Sequence, residues 1–376
     1  MKFIRHLRDV MRLMQLPKSQ RKLTFYSEGK NYWPHLEGLI KEILAIADTP
    51  ICYISSEEND PGLLLKHPNY RTFKIDEGFV RNWLFENIDT DIMVMTMPDL
   101  HQYQAKRSKH KIHYVYVQHS LVSLHMIYRK GAFDYYDTIF CAGPHHVKEI
   151  RAMESKYNLP PKILVEHGYS RLDNILVEAK KRPKKETSTH TTKHALIAPS
   201  WGPECIIESG IAEKIVDQLL GQDCQVTLRP HPQTIKLASN KVEAIINKYG
   251  SHPLFTYESN VAGQESLHNS NIMISDWSGA ALDYSFGLNK PVLFMDVPKK
   301  VNNPDYKDIG IEPFESFIRG IIGNIITPEK TDFSLSECLM DIRKYDSNRH
   351  VFNLGKADKT GASYIYGLAT QLETKQ

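Results

Sequence analysis

The chain has 376 residues, 41% of them hydrophobic, with 47 Lys and Arg against 44 Asp and Glu. That length and apolar content suit two α/β domains with real cores, and the near balance of charge excludes a protein held to nucleic acid by bulk positive charge. The five cysteines, Cys52, Cys141, Cys205, Cys224 and Cys338, are scattered without a C-x-x-C pair, which excludes a disulfide framework and a structural zinc site and points to a reducing compartment.

Positive charge is local. Residues 1–22 hold seven Lys and Arg with only Asp9 against them. Within them Phe3, Ile4, Leu7, Val10, Met11 and Met14 recur at helical spacing opposite Lys2, Arg5, Arg8 and Arg12. Such a basic amphipathic helix lies either in the interface of an anionic membrane or on the protein's own surface. Pro17 ends it. No uninterrupted apolar core makes this a signal peptide, and no apolar run reaches the length of a membrane span.

An α/β alternation follows over 23–177. Strands are expected at 23–27, 51–55, 70–75, 91–97, 113–119, 138–143 and 162–168, with helices at 34–47, 77–87 and 144–157. Residues 178–194 are polar, basic and aperiodic, with six Lys and Arg against two Glu; they read as a linker or flexible loop. The alternation restarts over 195–345. Strands are expected from His194 and at 225–229, 254–257, 272–275 and 291–295, and helices at 204–220, 234–248, 261–268 and 334–345. The apolar residues from 313 onward are interrupted by Gly320 and Gly323 and give no clear element. Residues 346–376 form a C-terminal helical segment, with a helix at 359–372, that can pack back across the domains. Strands alternating with helices imply parallel sheets, so the fold class is α/β: two doubly wound domains facing a cleft, with ligands outside the carboxyl ends of the strands.

Polar clusters fall at those strand ends. Ile272-Met-Ile runs into Ser275-Asp276-Trp-Ser278-Gly279 and then a helix. A polar, glycine-containing turn at a helix N-terminus presents free N–H groups and the positive end of the helix dipole, which suits a phosphate as well as an ordinary N-cap. Arg229-Pro-His231-Pro follows another strand; a stiff turn carrying Arg and His makes a pyrophosphate clamp or a proline-rich loop with an exposed cation. Gln118-His119-Ser120 puts an imidazole at a strand end, where it can accept a hydroxyl proton near neutral pH or serve structure alone. Ser200, in Ala198-Pro-Ser-Trp, can donate to a phosphate or a ribose. In Gly168-Tyr-Ser-Arg171-Leu-Asp173 the simplest expectation is that Arg171 and Asp173 pair with each other and close a hinge. The sequence contains no G-x-x-x-x-G-K-[ST], H-E-x-x-H or G-x-S-x-G motif, which leaves P-loop, zincin and hydrolase readings unsupported.

Taken in order, Ala198-Pro-Ser-Trp, Arg229-Pro-His-Pro, Ser275-Asp-Trp-Ser and the Lys290-Pro-Val strand resemble the CDP-glycerol glycerophosphotransferases, the teichoic-acid polymerase and primase group. Gly168-x-x-Arg171-x-Asp173 is similar to that family's G-x-P-R-x-D, and Gln118-His119-Ser120 to its W-H-G. The resemblance spans about 110–300. It implies a GT-B fold, a CDP-alditol donor, CMP as leaving group, a glycan or lipid-linked glycan acceptor, and a cytoplasmic enzyme resting on the membrane. It further implies His119 as general base, His231 with Arg229 on the donor phosphates, the Ser275–Gly279 turn on the pyrophosphate and Asp283 facing the ribose. It names no metal ligand and no cofactor besides the donor. Ser120, Ser170, Gly202 and Gly279 depart from the family pattern, which has Gly, Pro, Arg and Ser at those places. The rival expectations are a GT-B glycosyltransferase using a nucleotide sugar and a non-catalytic nucleotide- or glycan-binding scaffold.

Overall fold

The computed structural model describes residues 2–76, 78–103, 105–183, 192–329, 333–340 and 343–374, with backbone alone for 2–4. Its first strands are β1 (Leu23–Ser27), β2 (Ile51–Ser55), β3 (Tyr70–Lys74), β4 (Ile92–Met95), β5 (His113–Val117), β6 (Thr138–Cys141) and β7 (Ile163–Glu166). The second set is β8 (His194–Ile197), β9 (Gln225–Leu228), β10 (Phe255–Tyr257), β11 (Ile272–Ser275), β12 (Val292–Met295) and β13 (Gly323–Ile326). Among the described residues they form a seven-stranded sheet ordered β3-β2-β1-β4-β5-β6-β7 and a six-stranded sheet ordered β10-β9-β8-β11-β12-β13. Every pairing in both is parallel. Both orders reverse direction beside the first strand of their set, and such switch points are where open α/β sheets leave a crevice for ligands.

The helices are α1 (Lys2–Gln15), α2 (Trp33–Ile46), α3 (Phe79–Asn87), α4 (Leu124–Ile127), α5 (Pro144–Tyr157), α6 (Ser170–Lys181), α7 (Ile211–Leu220), α8 (Pro232–Leu237), α9 (Ser239–Tyr249), α10 (Glu265–Asn269), α11 (Gly279–Leu288), α12 (Phe314–Ile322), α13 (Leu335–Met340) and α14 (Ala357–Glu373). Buried β strands read as continuous apolar runs because helices cover both faces; Ile51, Cys52, Tyr53 and Ile54 are all fully buried. A third apolar cluster joins the domains, with Leu121, Tyr169, Leu172 and Ile175 of the first against Ala281, Leu282 and Phe286 of the second.

Several elements differ from expectation. The stretch expected as a linker from 178 starts as the last turn of α6; residues 184–191, the rest of its centre, lie outside the described residues. The helix expected at 204–220 starts only at Ile211, after Gly210 in the left-handed region at φ 83°. The one expected at 234–248 is broken at Ala238, which leaves the helical region. The unclear stretch from 313 is α12 followed by β13: Gly323 has extended backbone, and a Cβ there would lie 2.3 Å from the Val292 carbonyl of the neighbouring strand. The C-terminal helix α14 returns to the first domain, where Ala362, Ile365 and Leu368 bury against Leu36, Leu39 and Ile43 of α2.

Helix α1 turns its apolar side inward. Val10 and Leu13 are buried in the first domain's core, and Asp9 accepts from the backbone N–H of Lys74 on β3. Its outer face shows Leu7 and Met11 beside Arg8, and the adjoining α3 exposes Phe79 and Trp83. No helix of the described residues is long and apolar enough to cross a membrane.

Candidate active site

The carboxyl end of β5 leads into His119 and Ser120, both half-buried, after the fully buried Gln118. His119 sits in a cage of aromatic rings. The Tyr116 hydroxyl lies 3.1 Å from Nδ1 and the Tyr128 hydroxyl 3.2 Å from Nε2, while Tyr169 donates to the His119 carbonyl at 3.0 Å. Tyr32 approaches edge-on at 5.5 Å between centroids and His35 at 6.2 Å. Burial holds the His119 imidazole at a pKa of about 4, so it is neutral at pH 7. His35, stacked on Tyr169, is driven well below its ordinary value by burial, and its Nδ1 is buried without a partner.

Opposite stands the N-terminus of α11. Ser278 caps it, its hydroxyl accepting from the Ala280 N–H at 3.3 Å. The first turn of a helix has N–H groups without intrahelical acceptors and the positive end of the dipole. The two sides meet at Gly279: a Cβ there would be 2.5 Å from the Ser120 hydroxyl. The residue after His119 and the first residue of α11 therefore touch across the domain boundary. His231, the residue before α8, accepts from the Gln233 N–H and lies 6.0 Å from the ring of Trp201. Burial, then the charges of Lys300 and His119, lower its pKa to about 3.

Other expected site residues have different places. Arg171 and Asp173 do not pair. Arg171 Nε meets Asp283 Oδ2 on α11 at 2.9 Å, both side chains buried, and its Nη2 donates to the Val261 carbonyl at 3.0 Å. Helical geometry explains this, since residues two apart project from different sides. Asp173 instead accepts from the N–H groups of Gly355 and Ala357, both at 2.7 Å, and fixes the approach to α14. Gly168, at φ 98°, lets this chain pass: a Cβ would meet the Phe352 carbonyl at 2.4 Å.

Arg229 is also an interior residue, 4% exposed. Its guanidinium bonds Ser266 at 3.2 Å and the same Val261 carbonyl that Arg171 holds. It is long enough to reach behind the strand ends instead of out of them. Ser275 gives its hydroxyl to the Ala198 carbonyl at 2.8 Å, tying β11 to β8. Asp276, fully buried, accepts from the N–H of Ser200 at 2.7 Å and of Ile206 at 3.3 Å. These two side chains shape the 198–206 loop from behind. Asp283 is 5% exposed and engaged by Arg171, with Oδ1 unpartnered. Of the described residues at these strand ends, His119, Ser120, Ser200, His231 and Ser278 are not drawn behind them, and Lys300, which the motifs did not signal, lies against Ser200.

A family model described as CDP-glycerol:poly(glycerophosphate) glycerophosphotransferase matches residues 125–323, more than half of the chain. The chain belongs to this family. As a glycerophosphotransferase-like enzyme it keeps the α11 turn, His231 and Lys300 inside the matched region, with His119 just before it. A comparison with curated proteins gives no match. Among solved structures, the chain is similar to UDP-GlcNAc 2-epimerase of Methanocaldococcus jannaschii in complex with UDP-GlcNAc and UDP, at TM-score 0.59 and 14% identity, covering 93% of this chain and 99% of that one. It is also similar to UDP-N-acetylglucosamine 2-epimerase of Rickettsia bellii, at TM-score 0.58 and 12% identity over 94% of this chain and 96% of that one. At such identities the likeness concerns the fold: two facing parallel-sheet domains of GT-B type.

Proposed function

We propose that this glycerophosphotransferase moves glycerol phosphate, or a related alditol phosphate, from a CDP-alditol to a hydroxyl of a surface glycan or its lipid-linked primer, on the cytoplasmic face of the membrane. The observation that carries the reading is the contact between Ser120, the residue after His119, and Gly279, the first residue of α11. In the proposed reaction the acceptor hydroxyl takes the place of the Tyr128 hydroxyl at His119. Its oxygen attacks the distal phosphorus, its proton passes to His119, and the bond from that phosphorus to the bridging oxygen breaks, releasing CMP. The first-turn amides of α11, the Ser278 hydroxyl and His231 stabilise the charge that collects on the leaving phosphate. Most of the catalysis is positioning and electrostatics. Arg171, Asp283 and Arg229 act behind the site, locking α6, α11 and the loop at Val261 together.

The surface formed by α1 and α3 supports a membrane contact. Leu7, Met11, Phe79 and Trp83 are exposed on adjoining helices beside the basic side of α1. Its pair Arg5–Glu58 lies at the surface, where exchange for lipid phosphate costs little.

The test is CMP release from CDP-glycerol in the presence of glycan acceptors, scored against sugar nucleotides. His119→Ala should lower turnover by ~10²–10⁴-fold, the usual contribution of a general base, with CDP-glycerol still bound. Near-normal turnover in that variant would remove His119 from the mechanism.

A further inference from the structure

The loop after β12 carries a cation that no motif singled out. Trp277, in the turn before α11, donates from Nε1 to the Val297 carbonyl at 2.8 Å and so pins the start of this loop to the phosphate-facing turn. Three residues on, the Lys300 ammonium lies 3.3 Å from the Ser200 hydroxyl and 3.9 Å from the centroid of the Trp201 ring. Among the described residues its partners are a hydroxyl and an indole face, not a carboxylate. Asp276 and Glu208 act on it only from a distance, Asp276 being committed to Ser200 and Ile206 and Glu208 to Thr234.

A half-buried ammonium without a counter-ion is costly to keep. Burial pulls the pKa of Lys300 down to about 8, against the opposing pull of Cys205, Asp276 and Glu208. Its field reaches His231, which follows β9, and depresses the imidazole. An anion seated between His231 and the N-terminus of α11 would relieve both groups. Cation–π contact with Trp201 is the kind of weak, partly desolvated hold that a long flexible side chain exchanges for a phosphate oxygen.

We propose that Lys300 is a donor-binding residue whose ammonium leaves the face of Trp201 for the diphosphate of the nucleotide donor. This rests on the reading of the cleft as a CDP-alditol site. Trp201 and Ser200 are its resting place, and Trp277 sets the reach of its loop.

Titration calorimetry with CDP, UDP and CMP separates the two ideas. Wild type that binds UDP and not CDP overturns the CDP reading, and the Lys300 comparison then proceeds with UDP. In Lys300→Met the diphosphate should bind ~10–100-fold more weakly, the value of a charge-assisted contact, CMP less so, and Lys300→Arg should recover most of the loss. Raising the pH from 7 to 9 should weaken diphosphate binding by wild type, since the folded-state ammonium loses its proton there, and should leave the weak binding of Lys300→Met unchanged. Equal diphosphate affinity in wild type and Lys300→Met overturns the proposal. So does an equal loss for CMP and CDP with no recovery in Lys300→Arg, which marks a collapsed pocket. A thermal melt of each variant checks that the fold is intact.

Discussion

At the residue scale, the histidine of the site is held more tightly than a strand-end motif suggests. Two tyrosine hydroxyls occupy both ring nitrogens of His119, and burial keeps it neutral to about pH 4. The pH dependence has a definite sign. A base of depressed pKa stays competent as pH falls, so the acid limb of kcat/KM, which reports the free enzyme, should lie well below the ordinary imidazole range. Bound diphosphate favours the protonated ring, so the acid limb of kcat should lie at higher pH than that of kcat/KM. Steady-state profiles on both parameters check this; coincident limbs near the free imidazole value would contradict it. Two departures from the family pattern also prove to be neighbours. Ser replaces Gly at 120 and Gly replaces Ser at 279, and the two positions touch. Gly279→Ala should displace the Ser120 hydroxyl from its 3.4 Å contact with the Val122 N–H and lower activity severalfold, and Ser120→Gly in the same chain should restore it. A coupling of ~0.5–3 kcal/mol is expected for residues in contact, read as non-additive losses in kcat/KM.

At the scale of elements, the motif around Arg171 was visible in sequence while its partner was not. Spacing alone made Asp173 the convenient mate; the actual one, Asp283, is 112 positions away on α11. Removing one member leaves a buried charge, so Arg171→Met should cost ~3–5 kcal/mol by chemical denaturation, and adding Asp283→Leu should recover part of it. The same limit hid Lys300. Its local sequence, Pro-Lys-Lys after a strand, has no pattern, and only the fold of the Trp277 turn brings it to Ser200. Strands such as Ile51–Ser55 and Ile92–Met95 were legible because burial on both faces makes them short continuous apolar runs. Gly323 obscured β13 because its reason is a close approach to another strand, which periodicity does not record. For α1, the apolar stripe was legible but not its destination. Since Val10 and Leu13 are core residues, deleting the helix would unfold its surroundings. The informative change is Phe79→Ser with Trp83→Ser, which should reduce co-sedimentation with anionic vesicles and leave CMP release with a soluble acceptor intact. Added salt should weaken the wild-type association.

At the scale of the molecule, burial of many imidazoles makes the fold acid-sensitive. His35, His146 and His167 are buried and His145 is half-buried, and their pKa values are lowered chiefly by desolvation. The unfolded chain therefore binds more protons than the folded one below about pH 6.5, and stability falls with pH through that window. His125 runs the other way, raised by Glu149 and the Ile311 carbonyl, and Asp173 and Asp358, raised to about 6 by burial, return part of the loss. These lowered imidazoles, joined by His119 and His231, should still bring a lower melting temperature at pH 5.5 than at pH 7.5 in a buffer of constant ionic strength.

Helix α14 sets a schedule for synthesis. The first domain lacks one of its covering helices until residues 357–373 have left the ribosome, because Ala362, Ile365 and Leu368 close the apolar surface over α2. At ~5–20 residues per second, translation of everything between α6 and α14 separates the two on the order of ten seconds or more. Until then the nascent first domain carries an open apolar face, so the second domain, whose own sheet is complete earlier, folds beside an unfinished partner. A chain stopped before Ala357 would keep that face open permanently, as a substrate for chaperones and proteases.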